Sequence, residues 1–100
     1  MATISKALFR GAAATSSTTL YTVPSATTTV VTDILVANTT GSAGTFTLTL
    51  DGVSIATAVP VGANDSTSIS LKQVLATTKI IAGLASATSI NFHISGVEIS

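Results

Sequence analysis

Thr45-Phe-Thr-Leu-Thr-Leu-Asp-Gly-Val-Ser-Ile-Ala-Thr57 alternates apolar and small polar side chains around a single Asp51-Gly52 pair. A period of two places Phe46, Leu48 and Leu50 on one face of a strand and Thr45, Thr47 and Thr49 on the other. Asp-Gly is a strong signal for a two-residue type I′ turn, because both central positions of that turn need positive φ. Such a turn sets Leu50 opposite Val53, Leu48 opposite Ile55 and Phe46 opposite Thr57, all on the apolar face. Thr49 then meets Ser54, and Thr47 meets Ala56, on the polar face. A slip of one residue would expose the apolar set, so a hairpin in this register is expected.

The same period extends outward along the chain. Thr19 to Val23 reads as a short strand stopped by Pro24, which cannot donate to a ladder. Thr27 to Asn38 is longer, with Val30, Ile34 and Val36 in one phase and Val31, Leu35 and Ala37 in the other. A strand apolar on both faces is expected at the centre of a sheet and covered on both sides. Asn38 to Gly44 and Pro60 to Asp65 are turn formers. Ser66 to Leu71 carries Ile69 and Leu71 in phase, and Lys72-Gln-Val-Leu75 can form one helical turn joining strands. Lys79 to Ala82 is a short strand, followed by a small-residue loop over Gly83 to Ser89. In the last strand Ile90, Phe92 and Ile94 share a phase that Val97 and Ile99 break. A β-bulge at Ser95-Gly96 would return them to the buried face. Thr3 to Arg10 alternates poorly, with Ile4, Lys6 and Leu8 on one side and Ala7 and Phe9 on the other. Residues 1–18 therefore read as an arm or edge strand, and residues 19–100 as the body of one domain. Seven to eight short strands with turns every 8–12 residues predict an all-β, antiparallel β-sandwich, immunoglobulin-like or jelly-roll.

Composition limits what such a domain can do. Charged residues are 8% of the 100, and hydrophobic residues 46%, against roughly 25% charged in ordinary soluble proteins. The polar remainder is mostly Thr and Ser. Hydroxyls keep a surface wet yet cost far less to bury than charges, so much of this surface is suited to contact with other subunits. Net charge is zero and Lys6, Arg10, Lys72 and Lys79 form no run, which argues against nucleic acid as a partner. There is no cysteine, no apolar run approaching the ~20 residues of a membrane helix, and no apolar core of a signal peptide near the N-terminus. Synthesis in the cytoplasm without processing is expected.

Titratable groups are too few and too scattered to suggest catalysis. Asp51 and Asp65 lie in turns, where short carboxylates satisfy local backbone. Asp33 and Glu98 lie on strands, facing solvent or pairing with lysines. His93 shares the polar side of the last strand with Asn91 and Ser95 and has no second His or Cys to complete a metal shell. No Gly-x-Ser-x-Gly elbow is present, and Gly41-Ser-Ala-Gly44 lacks the lysine and helix of a phosphate loop. Asn64 and Asp65 offer too few oxygens for calcium. Without Trp, only Phe9 and Tyr21 are left as aromatic platforms for a sugar. No catalytic residue, cofactor or metal is expected.

Three stretches resemble a known group: Thr19-Leu-Tyr-Thr-Val-Pro-Ser-Ala-Thr-Thr-Thr-Val-Val-Thr-Asp-Ile-Leu-Val-Ala-Asn38, Leu71-Lys-Gln-Val-Leu75 and Asn91-Phe-His-Ile-Ser-Gly-Val97. They are similar to small structural proteins of tailed bacteriophages, β-sandwich chains of ~100 residues found as capsid decoration (cement) proteins or tail-associated domains. The resemblance implies a non-enzymatic virion protein, made in the host bacterial cytoplasm, that stabilises a shell by bridging capsid subunits. It also implies that the chain binds the major capsid or other virion proteins and further copies of itself, a trimer about a local three-fold being one arrangement. A tail, neck or fibre-associated domain is the alternative, and a carbohydrate or host-surface adhesion module a third reading. Ile4, Leu8, Phe9 and Arg10 on the N-terminal segment, with Tyr21, are the candidate interface residues.

Overall fold

The computed structural model describes residues 2–100 and contains eight strands and no helix. In chain order they are β1 (Thr3–Ala12), β2 (Thr18–Thr22), β3 (Thr28–Asn38), β4 (Gly44–Leu50), β5 (Val53–Val61), β6 (Ser66–Leu75), β7 (Ile80–Ala85) and β8 (Ile90–Ile99). They form two four-stranded antiparallel sheets, ordered β1-β8-β3-β6 and β2-β7-β4-β5. First pairs with last, second with seventh, third with sixth and fourth with fifth. That nested winding of eight strands is a jelly roll, which decides between the two sandwich topologies left open by the sequence.

The core fills the space between the sheets. Phe46, Leu48, Ile81, Ile90, Phe92, Ile94, Ile34, Val36, Val23, Val31 and Val61 are all fully buried. Phe46 from one sheet meets Phe92 from the other edge-to-face, with ring centroids 6.1 Å apart and planes at 72°, the geometry that aromatic quadrupoles favour. Among the polar residues inside, Asn38 organises the β3–β4 loop. Its Nδ2 donates to the Ser42 carbonyl at 2.8 Å while its Oδ1 accepts from the Thr40 N–H at 3.1 Å.

The Asp51-Gly52 turn forms as expected, with φ of 54° and 76°. The register beyond it is different. Leu50 pairs with Val53 and Thr49 with Ser54, but Leu48 then meets Ala56 and Phe46 meets Val59. Two slips carry Ala56 and Val61 into the core and leave Ile55 exposed; Val53, opposite Leu50 as expected, is exposed as well. β5 is an edge strand, so no outer neighbour holds its register, and Ala58 takes a positive φ of 48° where the chain slips. The Ala58 N–H there is received by the Thr47 hydroxyl at 3.0 Å.

Three further expectations are corrected. The segment Lys72–Leu75 is not a helical turn: β6 continues through Leu75, whose buried side chain pairs with Thr29 across the ladder. The bulge is not in β8, which alternates without interruption from buried Ile90 to buried Gly96. The extra residues lie in its neighbours, Leu8 in β1 and Thr32 in β3, both opposite the Ile94–Gly96 stretch. Val97 and Ile99 consequently stay on the outer side, half-buried, and Glu98 turns inward. β3 is apolar on both faces and internal to its sheet, as expected, but its two sets are not those given by a strict period of two. The slip at Thr32 switches its phase, so Val31, Ile34 and Val36 all point into the core while Leu35 is exposed. Leu8 and Phe9 share a side for the same reason, Leu8 buried and Phe9 packed against the core. Residues 3–12 are an integral edge strand bonded to β8 along their length.

Candidate functional site

A hydrogen-bonded gathering of titratable side chains lies at one end of the sandwich, where β1, β2, β3 and β8 converge. β8 brings Glu98 there because its alternation runs straight through Gly96. β1 brings Lys6, which pairs with Gly96 two residues before Glu98. β2 brings Tyr21 from the opposite sheet, just past a slip at Leu20. The Tyr21 hydroxyl donates to Glu98 Oε2, and the Thr29 hydroxyl, fully buried on β3, lies 2.9 Å from the phenol oxygen. Tyr21 has one proton to give, so with that proton on Glu98 the Thr29 hydroxyl is the donor in the second bond. Lys6 Nζ stands 3.4 Å from Glu98 Oε1, whose side chain is only 12% exposed.

The group is a polar latch across the two sheets. Burial together with the neighbouring carboxylate pushes the Tyr21 phenol up to about 12, since both penalise a phenolate. It therefore stays a neutral donor throughout the physiological range. Its raised value fixes a sign. Between pH 10 and 12 the unfolded chain releases this proton before the folded one, so stability is complete below about pH 10 and declines towards 12. Tyr21→Phe is expected to cost about 1.5–3 kcal/mol at neutral pH, the range for losing a bond to a charged acceptor. It should also flatten the alkaline decline in a series of urea melts between pH 9 and 12. An equally steep decline in the variant would remove the latch from the account.

No cluster of three or more His, Asp or Glu comes together among the described residues. His93 sits on the outer side of the first sheet, between Arg10 and Leu35 in the ladder. Asp65 accepts the Ser66 N–H at 2.8 Å and so serves its own turn, whereas the Asp51 carboxylate faces Lys79, outside its turn, at 3.7 Å. Asp33 and Lys72, with Thr32, Ser70 and Leu71, line a hollow of about 500 Å³ where the β3–β6 register slips. Neither charge is in an ion pair among the described residues.

The five candidate interface residues are dispersed in role. Ile4 and Arg10 are exposed on edge strand β1; Leu8 lies in the core and offers no contact surface; Phe9 is largely covered; Tyr21 is engaged in the latch. The latch itself escaped sequence reading. Its signal was the unbroken alternation Ile90, Phe92, Ile94, Gly96, Glu98, which places the carboxylate inside.

The outer sides of the sheets are the remaining large surfaces. On the first, the ladder aligns Ser5, Val97, Val30 and Val74 in one row and Arg10, His93, Leu35 and Ser68 in another. On the second, Thr19, Ala82, Thr49 and Ser54 form a row, next to Leu84 and Thr47. Both are rich in hydroxyl and aliphatic side chains; the first also carries Arg10 and Asp33, whereas these rows of the second hold no charge. No protein-family model matches the chain, and no curated protein is recognisably similar to it.

Proposed function

We propose that the chain is a non-enzymatic structural protein of a tailed-bacteriophage virion, a capsid decoration (cement) protein that bridges neighbouring capsid subunits. The observation that carries this reading is the outer face of the second sheet, whose rows of Thr, Ser, Ala and Leu hold no charge and cost little to desolvate. The resemblance of its strand and turn segments to phage structural proteins supports it, and so does the latch, whose polar groups are turned inward and used on each other. Jelly rolls recur in viral capsid proteins and in lectins, so the fold is compatible with the proposal by analogy only.

Bridging works by mass action. A chain that binds the assembled shell, and not its dissociated subunits, stabilises the shell in proportion to the logarithm of its concentration over its dissociation constant. Interfaces of roughly 1,600 Å² suffice for firm binding. Added to shells that lack it, the purified chain is expected to bind at a copy number fixed by icosahedral symmetry and to raise the temperature at which the shell breaks open. A handful of copies at one vertex would assign it instead to the tail, neck or fibre, which the same resemblance accommodates. The hollow beside Asp33 and Lys72 favours a second reading, an adhesion module for polyhydroxylated ligands, because it offers hydroxyls and both charges. Binding to a glycan array that Asp33→Ala abolishes would establish that reading in its place.

A further inference from the structure

We infer that β6 is a docking edge for β6 of a second copy, so that two sandwiches join through one continuous eight-stranded sheet. The inference rests on the proposed role as an assembling structural protein and names the surface used. A sheet edge presents unpaired N–H and C=O groups, and proteins usually blunt such edges with charge, proline, bulges or brevity. Three of the four edges here are blunted. β1 is bulged at Leu8 and carries Lys6 and Arg10. β2 has five residues, slips at Leu20 and is followed by Pro24. β5 slips twice and contains Pro60.

β6 differs. Its Ser66–Ser70 stretch pairs with Ala37–Asp33 residue for residue and itself carries neither charge nor proline; the slip of the β3–β6 ladder and Lys72 lie beyond it, between Ser70 and Gln73. Among the described residues no loop or side chain bonds to the backbone of residues 67–73 beyond the β3 ladder. The segment is also nearly palindromic. In Ser66-Thr-Ser-Ile-Ser70 an antiparallel two-fold centred on Ser68 sets Ser against Ser and the β-branched Thr67 against the β-branched Ile69 of the copy, each pair on one face. A two-fold interface requires this self-complementarity, which an unrelated strand would not need. Four of the five large apolar side chains exposed among the described residues are on β6, its neighbour β3 and β5: Val74 at 68%, Leu35, and Val53 at 68% with Ile55 on β5, which a four-residue turn joins to β6; the fifth, Ile4, is on β1. Strand addition would extend the ladder and cover part of this apolar surface. The unit so built is a dimer.

The absence of cysteine gives a direct test. Ser68→Cys is expected to form a disulfide-linked dimer under mild oxidation, because the two Cβ atoms of a directly opposed pair lie ~5 Å apart. Ser5→Cys, equally exposed on β1, is expected not to. Ser68→Lys places two ammonium groups face to face, and sedimentation should show association weakened at least about tenfold with an unchanged circular dichroism spectrum. A wild-type chain that sediments as a monomer at the highest concentrations reached, or a dimer indifferent to Ser68→Lys, overturns the inference. Shell binding by the wild-type chain is scored separately. If it persists while β6 pairing fails, only the dimer falls; if it is absent, the structural role falls with it.

Discussion

Phe46→Ala is expected to lower the stability of the domain by about 3–5 kcal/mol, the range for emptying a buried aromatic site. The Phe46 ring is 1% exposed and contacts Phe92 edge-to-face, so its removal opens a void between the sheets and takes away the main aromatic contact joining them. A domain of this size holds only roughly 5–10 kcal/mol in all. The variant should therefore melt tens of degrees lower or fail to fold, given ~4–8 °C per kcal/mol. Thr47→Ala, one residue along and on the outer side, is the matched control. It loses only the hydroxyl that receives the Ala58 N–H, with a cost of about 1 kcal/mol or less. Equal melting temperatures for the two variants would mean that β4 does not turn its even-numbered residues inward.

That contrast was legible in the sequence, and its reach is instructive. Phe46, Leu48 and Leu50 could be placed inside, and Asp51-Gly52 in a type I′ turn, because both follow from local chemistry: a period of two, and a dipeptide that tolerates positive φ. Two residues past the turn the reading failed. Val53 and Ile55 continue an apolar alternation that the pairing does not use, since β5 shifts register to bring Ala56 and Val61 inward. A period count assumes one residue per rung. Each bulge breaks that assumption without leaving a mark in composition.

The error with the largest consequence was of the same kind. The alternation of Ile90, Phe92 and Ile94 against Val97 and Ile99 can be reconciled either by a bulge in the strand itself or by allowing the last two to stay outside. Sequence favours the first on hydrophobicity. The structure takes the second, because the irregularities reside in β1 and β3, and β8 threads straight between them. One residue of phase then decides whether Glu98 faces solvent or seals one end of the sandwich with Tyr21, Thr29 and Lys6. The latch was invisible for that reason, although all four residues are plain in the sequence. Topology was likewise beyond reach, since nothing local distinguishes a jelly roll from other eight-stranded windings.

Gly96 is where these irregularities meet, and Gly96→Ala is expected to be the most damaging of the conservative substitutions. A Cβ added there would lie 2.3 Å from the Val30 carbonyl oxygen and 2.9 Å from Leu8 Cδ1. The Leu8 side chain can rotate away; the Val30 carbonyl belongs to the central ladder and cannot. Relief requires β3 and β8 to separate by several tenths of an ångström beside the Thr32 bulge, at a point where both strands are bonded on each side. Overpacking a core commonly costs 1–3 kcal/mol, and a clash with fixed backbone belongs at or above the upper end, about 3 kcal/mol or more. Gly41→Ala supplies the comparison, with no atom within 4 Å of its added Cβ and no positive φ; it should be neutral or slightly stabilising through the unfolded chain. Denaturant midpoints for the two variants would decide the matter. Were Gly96→Ala as stable as Gly41→Ala, β8 could not run straight between two bulged neighbours, and Glu98 would lose the inward position on which the latch depends.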